Sequence, residues 1–198
     1  MTGPPLKTLG RQLLLRRVLR AYDAALQRMP LRTKAVTASL ISATGDCMVQ
    51  QLSKIGDVEI DGLRLARQAV WSFFLSPFVH LEYNVLARVP PVGPIPAKAV
   101  SVMISQLCFS PMIHVAYFGW VSSASSGFSR SLREVRADVD ARLWPALQAS
   151  FVVWPAATLF NLAYVAMPYR VLFTNVVGMG YGMLMSWMAN GGPCVHKG

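Results

Sequence analysis

The chain of 198 residues is predicted to be an all-α integral membrane protein, a bundle of four to five spanning helices with a basic amphipathic N-terminal segment. Three observations predict it. Hydrophobic residues make up 54% of the chain and charged residues only 14%, against about 25% charged residues in an ordinary soluble chain, and the mean hydropathy is +0.40. The apolar residues fall in long uninterrupted runs of roughly the 20 residues a helix needs to cross hydrocarbon, not in the alternating ten-residue strands of a barrel. The net charge of +10 is concentrated near the N-terminus. So few charges cannot cover such a surface in water, whereas lipid covers it without any.

The basic segment, residues 1–32, comes first. Up to residue 34 the chain holds eight basic residues against the single acid Asp23. Its first twenty residues contain no acid, and set Arg11, Arg16, Arg17 and Arg20 among Leu13, Leu14, Leu15, Val18 and Leu19. That is the pattern of a mitochondrial targeting helix, without the apolar core and small-residue cleavage site of a secretory signal. It is expected to remain as an uncleaved, interfacial helix. A pI of about 10.1 permits nucleic-acid binding, but no nucleic-acid-binding motif follows. Membrane lipid with an anionic surface is the expected partner, and nucleic acid is not.

A single membrane domain is expected over residues 33–190, with a short polar tail at 191–198. Its first window, 33–53, is the most polar; Ala35, Ser39 and Ala43 recur at the four-residue spacing that lets helix backbones approach closely in lipid. This helix is read as enclosed by its neighbours. Four more apolar windows follow at 65–87, 97–123, 143–167 and 170–189. Between the second and third, Pro90, Pro91, Gly93, Pro94 and Pro96 end the helix. Pro168 to Arg170 marks a tight return. The polar connection 122–142 begins serine-rich and becomes charged, and is expected as a solvated or interfacial helix. Pro77, Pro111 and Pro155 fall inside windows and predict kinks. Gly178 and Gly182 form a Gly-x-x-x-Gly contact pattern. With the basic N-terminus on the matrix or cytosolic side, the loop with Asp57, Glu59 and Asp61 lies opposite, and Arg88 and Lys98 return to the starting side.

Strongly polar groups inside a span cost about 2.5 to 3.5 kcal/mol for a central charge on insertion scales, so each asks for a reason. Asp46 and Gln50 share a face, as do His80 and Asn84; Glu82, Gln106, His114 and Asn161 complete the set. They serve either to line an aqueous cavity or to bond between helices. Patterns of enzyme chemistry are missing: His80, His114 and His196 have no partner at metal-ligand spacing, no Gly-x-Ser-x-Gly elbow occurs, and no catalytic residue, cofactor or metal is expected. Cys47, Cys108 and Cys194 are odd in number and far apart, which suggests neither a disulfide framework nor zinc; the two within apolar windows read as small buried hydrophobes.

The same residues resemble the family of the twenty-two-kilodalton peroxisomal membrane protein and Mpv-seventeen. The match runs through Tyr22, the stretch from Pro30 to Asp46 with Gln50, then Asp61, Arg64, Arg67, Pro77, His80 and Tyr83. It continues through Lys98, Gln106 and Pro111 to Trp154, Pro155, Asn161, Val165, Pro168 and Arg170. The chain departs from the family pattern at Leu19 and Tyr181, where tryptophan is usual, and at Leu162, where phenylalanine is. Two further departures involve an acid: Glu82 replaces a tryptophan, and Ser105 replaces an aspartate. The resemblance implies an organelle membrane, either the mitochondrial inner membrane, which the basic N-terminus favours, or the peroxisomal membrane. For some members it also implies a weakly selective channel; in such a channel the polar residues of this chain, Asp46, Gln50, His80, Glu82, Gln106, Asn161 and Arg170, are expected either to line a cavity or to join helices. The alternative is a non-catalytic accessory subunit of a larger mitochondrial membrane complex. A homo-oligomer or such a complex is the expected assembly.

Overall fold

A computed structural model describes residues 6–52 and 60–190. The expectations for Asp57, Glu59 and the tail 191–198 lie outside the described residues. Within these, the regular structure is helical apart from one isolated antiparallel bridge, Val92 to Ile95. The helices are α1 (Leu6–Arg28), α2 (Pro30–Leu52), α3 (Gly62–Leu86), α4 (Ala97–Ser125), α5 (Leu132–Tyr164) and α6 (Arg170–Asn190). Each apolar window of the sequence coincides with one of α2 to α6. Of these, α4 and α5 are long and apolar enough to cross a membrane.

Local chemistry sets the boundaries. Pro30 sits at the first position of α2, where its missing N–H costs nothing. Asp61 caps α3 by accepting from the Arg64 amide at 2.9 Å. The proline-rich loop turns at Gly93, whose φ of +55° suits glycine. Gly127 (φ +62°) ends the turn after α4, with the Phe128 amide donating to the Ser123 carbonyl at 2.8 Å. Ser131 and Glu134 form a reciprocal capping box at the start of α5. A single 3₁₀ turn, Met167–Tyr169, makes the predicted return into α6.

The prolines act differently from one another. Pro77 and Pro155 lie inside α3 and α5, and Pro145 is a further proline inside α5. Pro111 instead follows a π-helical turn, Ser105–Phe109, in which the Ser110 amide reaches back to the Ser105 carbonyl. Proline has no N–H for the carbonyl of Leu107, and its ring presses on that group; the wider turn makes room. The charged stretch 130–140 is not a separate helix: from Leu132 it forms the first turns of α5, which runs unbroken for 33 residues.

Packing is densest between α2 and α3, between α2 and α6, and between α4 and α5. An apolar cluster of Val79, Tyr83, Leu86, Leu162 and Val171 joins α3, α5 and α6, with Leu75, Ile104 and Phe109 against it. Around it the usual distribution is reversed. Lys34, Ser76, Glu82, Ser101, Ser105, Gln106, Ser150, Thr158 and Asn161 are buried, while Phe74, Leu81, Leu107, Met112, Trp144, Val152 and Leu159 are exposed. A water-soluble fold hides the second set before the first. An apolar outer surface around a polar interior is what a lipid solvent selects. Cys108 lies exposed on that outer surface and Cys47 is half-buried, so neither is the buried hydrophobe the sequence suggests.

Candidate functional site: polar groups inside the bundle

Three groups of polar side chains tie the helices together. The first lies where α2 ends and α3 begins. Asp46, its side chain only 8% exposed, accepts from the Arg64 guanidinium at 2.9 Å, and Gln50 donates to its other oxygen at 2.8 Å. Gln50 in turn accepts from the Asp61 amide at 2.7 Å, closing the α2–α3 corner. Arg67 extends the network to α4 by donating to the Ala124 carbonyl at 3.3 Å, and Trp120 returns a bond to the Arg67 carbonyl at 3.2 Å. Sequence spacing places Asp46 and Gln50 together; the arginine that neutralises Asp46 comes from another helix.

The second group faces α2 from the middle of α3. The Lys34 ammonium lies 3.0 Å from Nδ1 of His80, and the Asn84 amide 3.2 Å from its Nε2. Lys34 is buried. Read in the sequence, it belongs to the basic segment; its position inside an apolar window is the signal that marks it as an interior residue.

The third group occupies the contacts of α3 with α4, α5 and α6. Glu82 accepts from the Ser105 hydroxyl of the π-helical turn at 2.8 Å, both residues being buried. The Tyr83 and Thr174 hydroxyls are 3.0 Å apart. Asn161 donates to Thr174 at 3.1 Å and to the Arg170 carbonyl at 3.0 Å, at the N-terminal turn of α6. Arg170 turns its guanidinium back on the Val165 and Leu162 carbonyls, at 3.2 and 3.5 Å, which otherwise end α5 without partners. Gln106 is buried, with its Oε1 unpaired.

The predicted polar residues therefore sort into these three places with separate partners, apart from His114, whose Nδ1 lies 2.7 Å from the Ser110 carbonyl on α4; Glu82 shares no partner with His80 two positions away. The predicted packing residues divide as well. Ala35 is buried, and Ser39 donates to the Ala69 carbonyl of α3 at 2.9 Å, while Ala43 is half-buried. A Cβ at Gly178 would lie 3.8 Å from the Trp154 ring, and one at Gly182 would meet open space. Of the described glycines, Gly45 meets its neighbour most tightly: a Cβ there would lie 2.6 Å from Cγ of Met179. Among the described residues, no three of His, Cys, Asp and Glu gather as metal ligands do.

The sequence model of the Mpv17 / PMP22 family matches residues 129–186, from the capping box of α5 into α6. Protein SYM1 of Gibberella zeae is 32% identical over 174 residues, covering 86% of this chain and 96% of that protein. The chain belongs to the Mpv17/PMP22 family. PXMP2/4 family protein 3 of Dictyostelium discoideum is 30% identical over 85% of this chain and 89% of its own length. Peroxisomal membrane protein 2 of Bos taurus is 29% identical over 83% of this chain and 85% of its own. No solved structure matches. The family-model match covers Asn161 and Arg170, the pair that closes the α5–α6 corner.

Proposed function

We propose that this protein is a small-solute permeability protein of an organelle membrane, with α2 to α6 crossing the bilayer and α1 lying at its basic face. One observation supports it above the others. Among the described residues, Ser76 Oγ on α3, Gln106 Oε1 on α4, Asn161 Oδ1 on α5 and Asn175 Nδ2 on α6 are buried without a hydrogen-bond partner. Such atoms are satisfied by ordered water where protein supplies nothing. One on each of four neighbouring helices points to a hydrated interior, the starting condition for passage of small polar solutes. The mitochondrial inner membrane is the proposed location, since α1 carries Arg16, Arg17, Arg20 and Arg28; the bovine relative's name supports the peroxisomal membrane as the alternative.

Purified protein in a planar bilayer is expected to conduct, and Asp46→Asn to alter the ratio of cation to anion permeability, because Asp46 is the buried charge behind the half-exposed Arg64. Silence of the purified protein in the bilayer overturns the reading. The second reading, an accessory subunit of a larger membrane complex, is favoured by the extent to which the polar groups bond one another. It predicts comigration with that complex on native gels of gently solubilised organelles, where a permeability protein runs alone or as a small oligomer.

A further inference from the structure

We propose that Glu82 and Ser105 form a membrane-buried proton-binding site at the contact of α3 with α4, with the Glu82 carboxylate as the group that takes the proton. Glu82 and Ser105 are each only 6% exposed. At this end of α3, Lys34 is engaged with His80, and Arg170 with the Val165 and Leu162 carbonyls. Tyr83, the next residue on α3, directs its hydroxyl to Thr174. The facing residues of α4 are uncharged.

Hydrogen-bond accounting indicates what the site lacks. Its acceptors are the carboxylate and, one residue beyond Ser105, the unpaired Oε1 of Gln106; its donor is the single Ser105 hydroxyl at 2.8 Å. A buried, unpaired carboxylate is among the costliest groups a protein can carry, and neutralisation removes that cost. A hard metal cation needs six or more oxygens around it at 2.3 to 2.6 Å, by general coordination chemistry. A proton needs one oxygen and no cavity.

The side-chain oxygens of positions 82 and 105, on facing helices, are 2.8 Å apart, so the site requires one carboxyl, from either side.

The test uses the full chain in phosphatidylcholine vesicles treated with dicyclohexylcarbodiimide, an apolar reagent that adds to protonated carboxyls in lipid, with the adduct mapped by peptide mass spectrometry. The expected result is an N-acylurea at Glu82 that increases as pH falls. It should be absent from Glu82→Gln and regained at position 105 in the double variant Glu82→Gln/Ser105→Asp. No adduct at Glu82 in the folded protein, when the detergent-unfolded chain is labelled there, overturns the proposal. So does protection by sodium, potassium or calcium at fixed pH, which assigns the site to a metal cation. Glu82→Gln, whose amide imitates the neutral acid, should unfold at a temperature no lower than wild type at neutral pH; a marked drop indicates a charged carboxylate and overturns the proposal as well. The inference shares with the proposed function only the lipid surroundings. Labelling reads the carboxyl whether or not the protein conducts, so the two can fail separately.

Discussion

Gly45 on α2 packs directly against α6, and every close neighbour of a Cβ there is an atom of the Met179 side chain. Gly45→Ala forces that side chain to move, at a cost of about 1 to 3 kcal/mol for overpacking. Thermal unfolding in detergent should show a lowered midpoint, and Met179→Ala in the same chain should recover part of it. Asn161 is a different case. It is fully buried and joins α5 to the first turn of α6 through two hydrogen bonds. Asn161→Leu leaves the Thr174 hydroxyl without its Asn161 partner, with an expected loss of about 1 to 3 kcal/mol, read in the same assay. Only one side of each such contact is legible in sequence. Asp46 with Gln50 and His80 with Asn84 follow from the four-residue spacing of a helix. Arg64, Lys34, Ser105 and Thr174 depend on how far one helix slides past another, and no local pattern records that register.

At the scale of the element, helices were easier to read than the contacts between them. Proline and glycine mark the loop 88–96 and the return at Pro168, and the apolar windows agree with α2 to α6 to within a few residues, apart from the N-terminal extension of α5. That start of α5 and the π-helical turn were not legible as such. The first depends on Ser131 and Glu134 closing a capping box, which carries the helix through a charged stretch; the second is a consequence of Pro111 that sequence reads only as a kink. Ser131→Ala should cost about 1 kcal/mol as a lost N-cap and increase amide exchange over residues 131–136. The box also titrates. Bonds from the Ser131 hydroxyl and backbone amide hold the Glu134 carboxyl below its ordinary range. Because the folded value is the lower one, its contribution is complete above the unfolded value and disappears as pH falls through the folded value. Exchange at the start of α5 should therefore increase in acid, and do so less in Glu134→Gln.

At the scale of the whole molecule, the helices α2 to α6 run alternately up and down, as bonds at both ends require: Gln50 to Asp61 and Arg67 to Ala124 at one end, Ser101 to the Leu86 carbonyl and Asn161 to the Arg170 carbonyl at the other. Charge then differs between the ends. Arg28, Arg32, Arg88, Lys98 and Arg170 gather at the end where α1 meets the α5–α6 turn through Asp23 and Tyr169. The other end is mixed and nearly balanced: Asp46, Asp61, Glu134, Asp138 and Asp140 stand there with Arg64, Arg67, Arg130, Arg133, Arg136 and Arg142, several of them ion-paired. The positive-inside rule then predicts that the basic end faces the matrix or cytosol. With the native cysteines replaced, a cysteine at Val92 and one at Ser126 should react with an impermeant maleimide from opposite sides of sealed vesicles. Reaction of both from one side is incompatible with five crossings.

A helix of 33 residues is about 50 Å long at about 1.5 Å per residue, and hydrocarbon is only about 30 Å thick. The surplus matches the three N-terminal turns, Leu132 to Arg142, which carry three basic and three acidic residues, Arg133, Arg136 and Arg142 with Glu134, Asp138 and Asp140. With the rest of α5 spanning the bilayer as proposed, rotation or tilt of that span sweeps these turns through the aqueous phase, and whatever grips them from outside has a handle on the helix that carries Ser150, Thr158 and Asn161.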